Sequence, residues 1–156
     1  MNCSTRSRAI NVLLIEDNPG DVDLAKAALR NCKTANQITV ACDGEEAMML
    51  LRQAGEPLRK PLPDLVLLDL NMPRKSGIEV LAEIKQDPAL RRIPVVVVTS
   101  SEAEQDILKS YELHANCYIH KPIGLEDFRR VVKAIDDFWF SIVKLPTTVC
   151  GEAPSV

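Results

Sequence analysis

Asp69 stands at the end of an apolar run, Leu65-Val66-Leu67-Leu68, and is followed by Leu70-Asn71-Met72-Pro73 and then Gly77. Three other apolar runs also lead to reactive side chains. Val12-Leu13-Leu14-Ile15 ends on Glu16 and Asp17, and Pro94-Val95-Val96-Val97-Val98 ends on Thr99. Cys117-Tyr118-Ile119 leads through His120 to Lys121 and Pro122. An open α/β sheet carries its reactive groups at the carboxyl ends of its strands. Four strands would therefore bring an acid pair, an acid, a hydroxyl and an ammonium to one edge. That set suits a magnesium ion and a phosphoryl group, centred on Asp69.

Each element taken singly has a bland reading. Asp69 could be an ordinary turn or cap residue, and Glu16-Asp17 solvated loop charge. Thr99 could be a plain β-branched strand residue and Lys121 a surface lysine. The conjunction at fixed intervals carries the chemistry. His114 and His120 are set aside as ligands or bases. His114 falls in a helix-end stretch, and His120 points away from the face of adjacent Lys121. Tyr118 is expected to share the Lys121 side of the strand rather than the His120 side.

The elements that must position these groups follow from periodicity. The runs at 12–15, 38–42, 65–70, 94–99 and 117–119 are short and rich in β-branched residues. Most lack polar alternation, as strands covered on both faces do. Between them lie helical periods. Asn18 caps the first, with Pro19 at its first position and Val22, Ala25, Leu29 and Cys32 at 3-4-3 spacing. Asp43 caps a second whose inner face includes Ala47, Leu50 and Leu51. Ser76 and Glu79 form a capping box before Ile78, Leu81 and Ala82, and Ser101 with Glu104 repeats it before Ile107, Leu108 and Tyr111. This alternation predicts an α/β fold: a doubly wound, five-stranded parallel sheet, (βα)5, with right-handed crossovers. Residues 53–64 form a proline-rich loop before the third strand.

Composition bounds the rest. The 156 residues, 46% hydrophobic and 4% aromatic, suffice for one core but not two. The expected division is a flexible stretch 1–9, a compact domain 10–145 with an extended last helix, and a flexible tail 146–156. A net charge of -3 argues against a nucleic-acid partner. The five cysteines (Cys3, Cys32, Cys42, Cys117, Cys150) are scattered, with no C-x-x-C pair. Cys32, Cys42 and Cys117 are expected to be small core hydrophobes in a reducing compartment. The apolar stretch after Arg6 and Arg8 is cut short by Glu16-Asp17, too soon for a signal peptide or membrane span. These features place the protein in the cytoplasm, away from membranes.

Glu16-Asp17, Asp69 with Met72-Pro73 and Gly77, Thr99, and Lys121-Pro122 together resemble the receiver domain of two-component response regulators. The intervals match as well, with Thr99 30 and Lys121 52 positions after Asp69. The resemblance covers residues 10–137. More narrowly, Tyr111-Glu112-Leu113-His114, Asn116-Cys117-Tyr118 and the stretch from Phe138-Trp139 to Leu145-Pro146 look like the stand-alone regulators of cyanobacterial phytochromes. The resemblance implies a flavodoxin-like fold similar to the chemotaxis receiver, with strand order 2-1-3-4-5. It also implies a histidine kinase as donor, of phytochrome type.

The chemistry stands beside that resemblance. Glu16, Asp17 and Asp69 packed together repel one another unless a cation joins them, and magnesium takes oxygen ligands while keeping several waters. Asp17 and Asp69 would bind it directly, the main-chain carbonyl of Asn71 would complete the protein's share, and Glu16 would act through water. Asp69 would then be the phosphoacceptor, with Lys121 as a second positive charge on the phosphoryl oxygens. Thr99 would donate to a phosphate oxygen once it arrives, as a sensor of occupancy. Tyr118 occupies the family position of the aromatic that rotates as Thr99 moves inward, although a buried tyrosine at a strand end also serves plain packing. Asn71 and Ser101 would flank the hydrolytic water.

The last helix holds a second feature. Leu125, Phe128, Val132, Ile135, Trp139 and Ile142 recur at 3-4-3-4-3 spacing, with Val131, Phe138 and Phe140 in a second row. One row suffices to cover a sheet, so the extra aromatics point to a homodimer through Phe138 and Trp139, or to the tail 143–149 folding back over them. Three functions stay in view. The first is a phosphoacceptor switch that is not a turnover enzyme, since Pro146–Val156 is short for an output domain. The second is a small phosphatase with an aspartyl-phosphate intermediate, although Asn71 stands where a second acid would serve it. The third is an adaptor that ignores phosphorylation.

Overall fold

The apolar runs pair as five parallel strands in the computed structural model, which describes residues 9–53, 62–100, 103–121 and 124–140. In chain order these are β1 (Ile10–Ile15), α1 (Pro19–Arg30), β2 (Asn36–Ala41), α2 (Gly44–Gln53), β3 (Leu65–Leu68), α3 (Gly77–Gln86), β4 (Val95–Thr99), α4 (Glu104–Glu112), β5 (Cys117–His120) and α5 (Leu125–Ile135). The sheet order is β2-β1-β3-β4-β5, the doubly wound arrangement expected. Register aligns the strand ends, with Ile15 opposite both Ala41 and Leu68, and Thr99 opposite His120.

Two-residue alternation divides the core between the two faces of the sheet. Leu13, Ile15, Val66, Leu68, Val95 and Val97 meet Ala47 and Leu51 of α2 and Val80, Leu81 and Ile84 of α3. Val12, Leu14, Leu65, Leu67 and Val96 meet Ala25 and Leu29 of α1 and Phe128, Val132 and Ile135 of α5. Both faces are covered, which is why these strands carry no polar alternation.

Caps fall where the side chains dictate. Asn18 Oδ1 accepts from Gly20 N and Asp21 N, at 2.9 and 3.2 Å, and starts α1. Asp43 Oδ1 accepts from Glu46 N at 2.8 Å and starts α2. Ser76 and Glu79 form the reciprocal capping box of α3. The fourth helix departs from expectation. Its cap is Ala103, with no side-chain hydrogen bond, and Glu104 is the first helical residue rather than the third. Ser101 lies outside the described residues. The phase of α4 seats Ser110 inward with Ile107 and Leu113 partly covered, so Leu108 and Tyr111 are 60% and 50% exposed. Those two lie about 100° around the helix from their neighbours 107 and 110, off the row that meets the sheet.

Cys42 is also a correction: it is exposed, one residue beyond β2 in the turn that leads into α2. Cys32 and Cys117 are half-buried. Burial, with the charges of Asp136 and Asp137, pushes the Cys32 thiol up to about 11, and burial raises Cys117. Neither is a reactive thiolate. Cys3, Cys150 and residues 54–61 of the proline-rich loop lie outside the described residues.

Helix α5 passes into a π-helical turn, Asp136–Phe140. Phe128, Val132 and Ile135 are buried and Trp139 packs partly against the same cluster, whereas Phe138 is 51% exposed. Adjacent helical residues diverge, so the two rings separate as expected and touch only edge to face, with centroids 5.5 Å apart. The side chains of Leu125 and Phe140, Ile142 and the tail 143–149 lie outside the described residues. No helix among the described residues is long and apolar enough to cross a membrane.

Candidate functional site

The sheet ladder runs one residue past the strands and pins the main chain of the reactive residues. Glu16 N donates to Ala41 O at 3.0 Å, Asp69 N to Ile15 O at 3.0 Å, and Lys121 N to Thr99 O at 2.6 Å. Gly77 then lets the chain turn under Asp69. A Cβ there would stand 2.3 Å from Asp69 O and 2.5 Å from Leu70 Cα, so any side chain would force the backbone apart. The loop closes with Asn71 N donating to Asp69 Oδ1 at 3.2 Å, an Asx-type contact that sets the tilt of the carboxylate.

Glu16, Asp17 and Asp69 each bring an oxygen within 4.8 Å of the others. Glu16 and Asp69 are buried, and Asp17 is exposed. Three hard oxygen donors, two of them fixed in the interior, fit a divalent cation that keeps water on its open side. Lys121 enters from β5. Its Nζ donates to Glu16 Oε2 at 2.7 Å and Asp21 Oδ2 at 2.8 Å, and reaches Asp69 Oδ2 at 3.5 Å. Asp21 was not foreseen among the site residues. Its only signal in the sequence is a position one helical turn after Asp17, where a first-turn acid is common for dipole reasons alone.

Burial raises the Glu16 carboxyl; the Lys121 hydrogen bond pulls it back, the Asp69 charge adds to the rise, and the balance is about 7. Burial by itself would lower the Lys121 ammonium. The hydrogen bonds to Asp21 and Glu16 and the charge of Asp69 outweigh that and hold it well above the ordinary lysine range. The pair is lopsided because one ammonium collects three carboxylates, whereas Glu16 has one ammonium to offset its burial.

A pH dependence follows. Glu16 binds its proton more tightly folded, near 7, than unfolded, near 4.5. Between those values the folded state holds more of that proton, so stability falls as pH rises through the window. In metal-free buffer, wild type should lose on the order of 3 kcal/mol at most relative to Glu16→Gln across it. Urea unfolding of both proteins at several pH values checks this. Parallel pH profiles would show that Glu16 titrates normally.

The other expected residues are placed as follows. Thr99 is buried at the end of β4. Tyr118 lies opposite Val97 and packs against the α2–α3 face, whereas Cys117 and Ile119 face α1 and α5. The expectation that Tyr118 shares the Lys121 side is therefore wrong: residues 118 and 121 differ by an odd number, and strand side chains alternate. Lys121 instead lines a cavity of about 30 Å³ with Glu16, Asp21, Asp69, Val98 and Phe128. By the same alternation Thr99 follows Val95 and Val97, on the Tyr118 side. Pro122 lies outside the described residues.

Comparison with known proteins agrees with this geometry. Residues 12–133 match the response regulator receiver domain family. The chain is 47% identical over 135 residues to the response regulator Rcp1 of Synechocystis sp., covering 86% of this chain and 92% of Rcp1. It is 38% identical to a probable methanogenesis regulatory protein, FilR2, of Methanothrix harundinacea, covering 86% of each. Among solved structures, the phosphorylated cyanobacterial phytochrome response regulator RcpA superposes with a TM-score of 0.84 at 49% identity, over 89% of this chain and 99% of RcpA. The Mn2+-bound form of Rcp1 superposes with a TM-score of 0.82 at 47% identity, over 88% of this chain and 99% of Rcp1. A parallel sheet that gathers acids and a lysine at its carboxyl edge, in a sequence matched from β1 into α5, makes this chain a member of the response regulator receiver domain family.

Proposed function

We propose that the protein is a single-domain phosphoacceptor switch that takes a phosphoryl group from a histidine kinase onto Asp69. The observation that carries this is the convergence of the Lys121 ammonium and two further acids, Glu16 and Asp17, on the buried Asp69 carboxylate. The Asp69 oxygen attacks phosphorus, the bond from phosphorus to the kinase imidazole breaks, and the imidazole leaves with the electron pair. A magnesium ion held by Asp17, Asp69 and the main-chain carbonyl of Asn71, with Glu16 acting through water, would neutralise the phosphoryl oxygens. Lys121 supplies the second positive charge. Thr99 then donates to the phosphoryl group, and Tyr118, on the Thr99 side of the sheet, follows it inward and reshapes the surface of α4, β5 and α5.

The likeness to RcpA, a cyanobacterial phytochrome response regulator, supports a phytochrome-type kinase as donor. Asn71 in place of a second acid supports a switch over a phosphatase. The reading places the protein in the cytoplasm, with no nucleic-acid partner. Transfer of labelled phosphate from a phytochrome-type histidine kinase tests it. Labelling that needs magnesium supports the reading, and a protein that no such kinase labels would overturn it in favour of the adaptor or the phosphatase.

The same reading includes a homodimer through α5 and the turn beyond it. Phe138 leaves half its surface in water, at a cost of about 1 kcal/mol, and a second copy across a two-fold axis would bury it. Wild type is expected to sediment as a dimer at micromolar concentrations, and Phe138→Ala and Trp139→Ala to shift toward monomer. Three monomers, with and without phosphate, would remove the dimer from the proposal.

A further inference from the structure

Glu16 and Asp69 serve two cations. They belong to the trio that fits a divalent ion, and both also lie within reach of Lys121 Nζ. An ammonium has three donors and no acceptor, and it is repelled by a divalent ion on the same oxygens. Asp21 is the partner of Lys121 that stands outside the trio, at 2.8 Å. Its place is firm. Asp21 N and Gly20 N both donate to Asn18 Oδ1, while Asn18 N donates to Glu16 Oε1 at 3.1 Å. One helical turn thus orders Glu16 and the second anchor of Lys121 together. The pair is shielded, with side-chain exposures of 12% for Lys121 and 29% for Asp21.

We propose that Asp21 is a positioning residue that seats the Lys121 ammonium clear of the carboxylates the divalent cation needs. When the cation enters, Lys121 loosens from Glu16 and Asp69 and stays anchored on Asp21. Lys121 then remains beside Asp69, charged and ready for an incoming phosphoryl group. Without Asp21, the ammonium falls back on Glu16 and Asp69 and competes with the cation. This inference rests on the reading of the acid trio as a divalent-cation site.

The test is calorimetric titration of the full chain with Mg2+, for wild type, Asp21→Asn, Asp21→Glu, Lys121→Gln and the double variant Asp21→Asn/Lys121→Gln. Asp21→Asn is expected to weaken Mg2+ roughly fivefold, a charged hydrogen bond discounted for partial exposure. Asp21→Glu should recover most of that loss. Lys121→Gln should bind more tightly than wild type, and adding Asp21→Asn to it should cost little more. Equal losses in both backgrounds would show that Asp21 acts by charge alone, and that overturns the proposal. So would an Asp21→Asn variant that binds like wild type. If wild type itself takes up no Mg2+, the cation reading fails first and the inference falls with it.

Discussion

Asp69→Asn is expected to take up no phosphoryl group from any donor that labels wild type. The amide keeps the size of the carboxylate and can still accept from Asn71 N, which donates to Asp69 Oδ1 at 3.2 Å in wild type. It lacks the anionic oxygen that attacks phosphorus, so the loss should be complete rather than graded. The fold should survive. The substitution removes one charge beside Glu16, whose carboxyl is raised first by burial and further by Asp69. The 3.5 Å contact with Lys121 is the longest of that lysine's three and the least costly to weaken. Metal-free stability should therefore equal or exceed that of wild type. Phosphotransfer gels and urea denaturation read the two halves separately. Stable label on a different residue of the variant would remove Asp69 from the centre of the mechanism.

Magnesium should bind wild type weakly but measurably, and Asp17→Ala should lose that binding steeply. Asp17 is the exposed member of the trio. On the proposed reading, removing it would delete a direct oxygen ligand, whereas Glu16→Gln, which would act through water, should be milder. Binding to the folded state alone stabilises by mass action. Magnesium at ten times its dissociation constant should add about 1.4 kcal/mol and raise Tm by about 4 °C. Thermal melts with and without millimolar magnesium give the result. An unchanged Tm in wild type would mean that Glu16 and Asp69 serve Lys121 alone, since it already bridges them, and that Asp17 holds no cation.

Strand ends and helix starts were legible in the sequence because both are local properties. The short apolar run Leu65–Leu68, without polar alternation, reads as a strand covered on both faces, which puts Asp69 at the edge of the sheet, and that is where it lies. Asn18, Asp43 and Ser76 cap within three residues of themselves, and each does so where expected. Ser101 looked like the same signal, yet α4 begins at Glu104 behind Ala103. There Ser110 is the buried residue, and it marks the face of α4 that turns inward.

What the tertiary structure alone decided are contacts between residues far apart in the chain. Lys121 meets Asp21 across 100 residues and Glu16 across 105. Nothing near Asp21 in the sequence separates a lysine anchor from an ordinary first-turn acid. The exposure of Leu108 and Tyr111 likewise depends on which helical face meets the sheet, and periodicity read from the sequence placed both on the inner row. Periodicity states which residues are able to be buried. Which of them are buried, and which carboxylate holds which cation, is settled when β1, β3, β4 and β5 come into register, because only then do the charges stand close enough to compete.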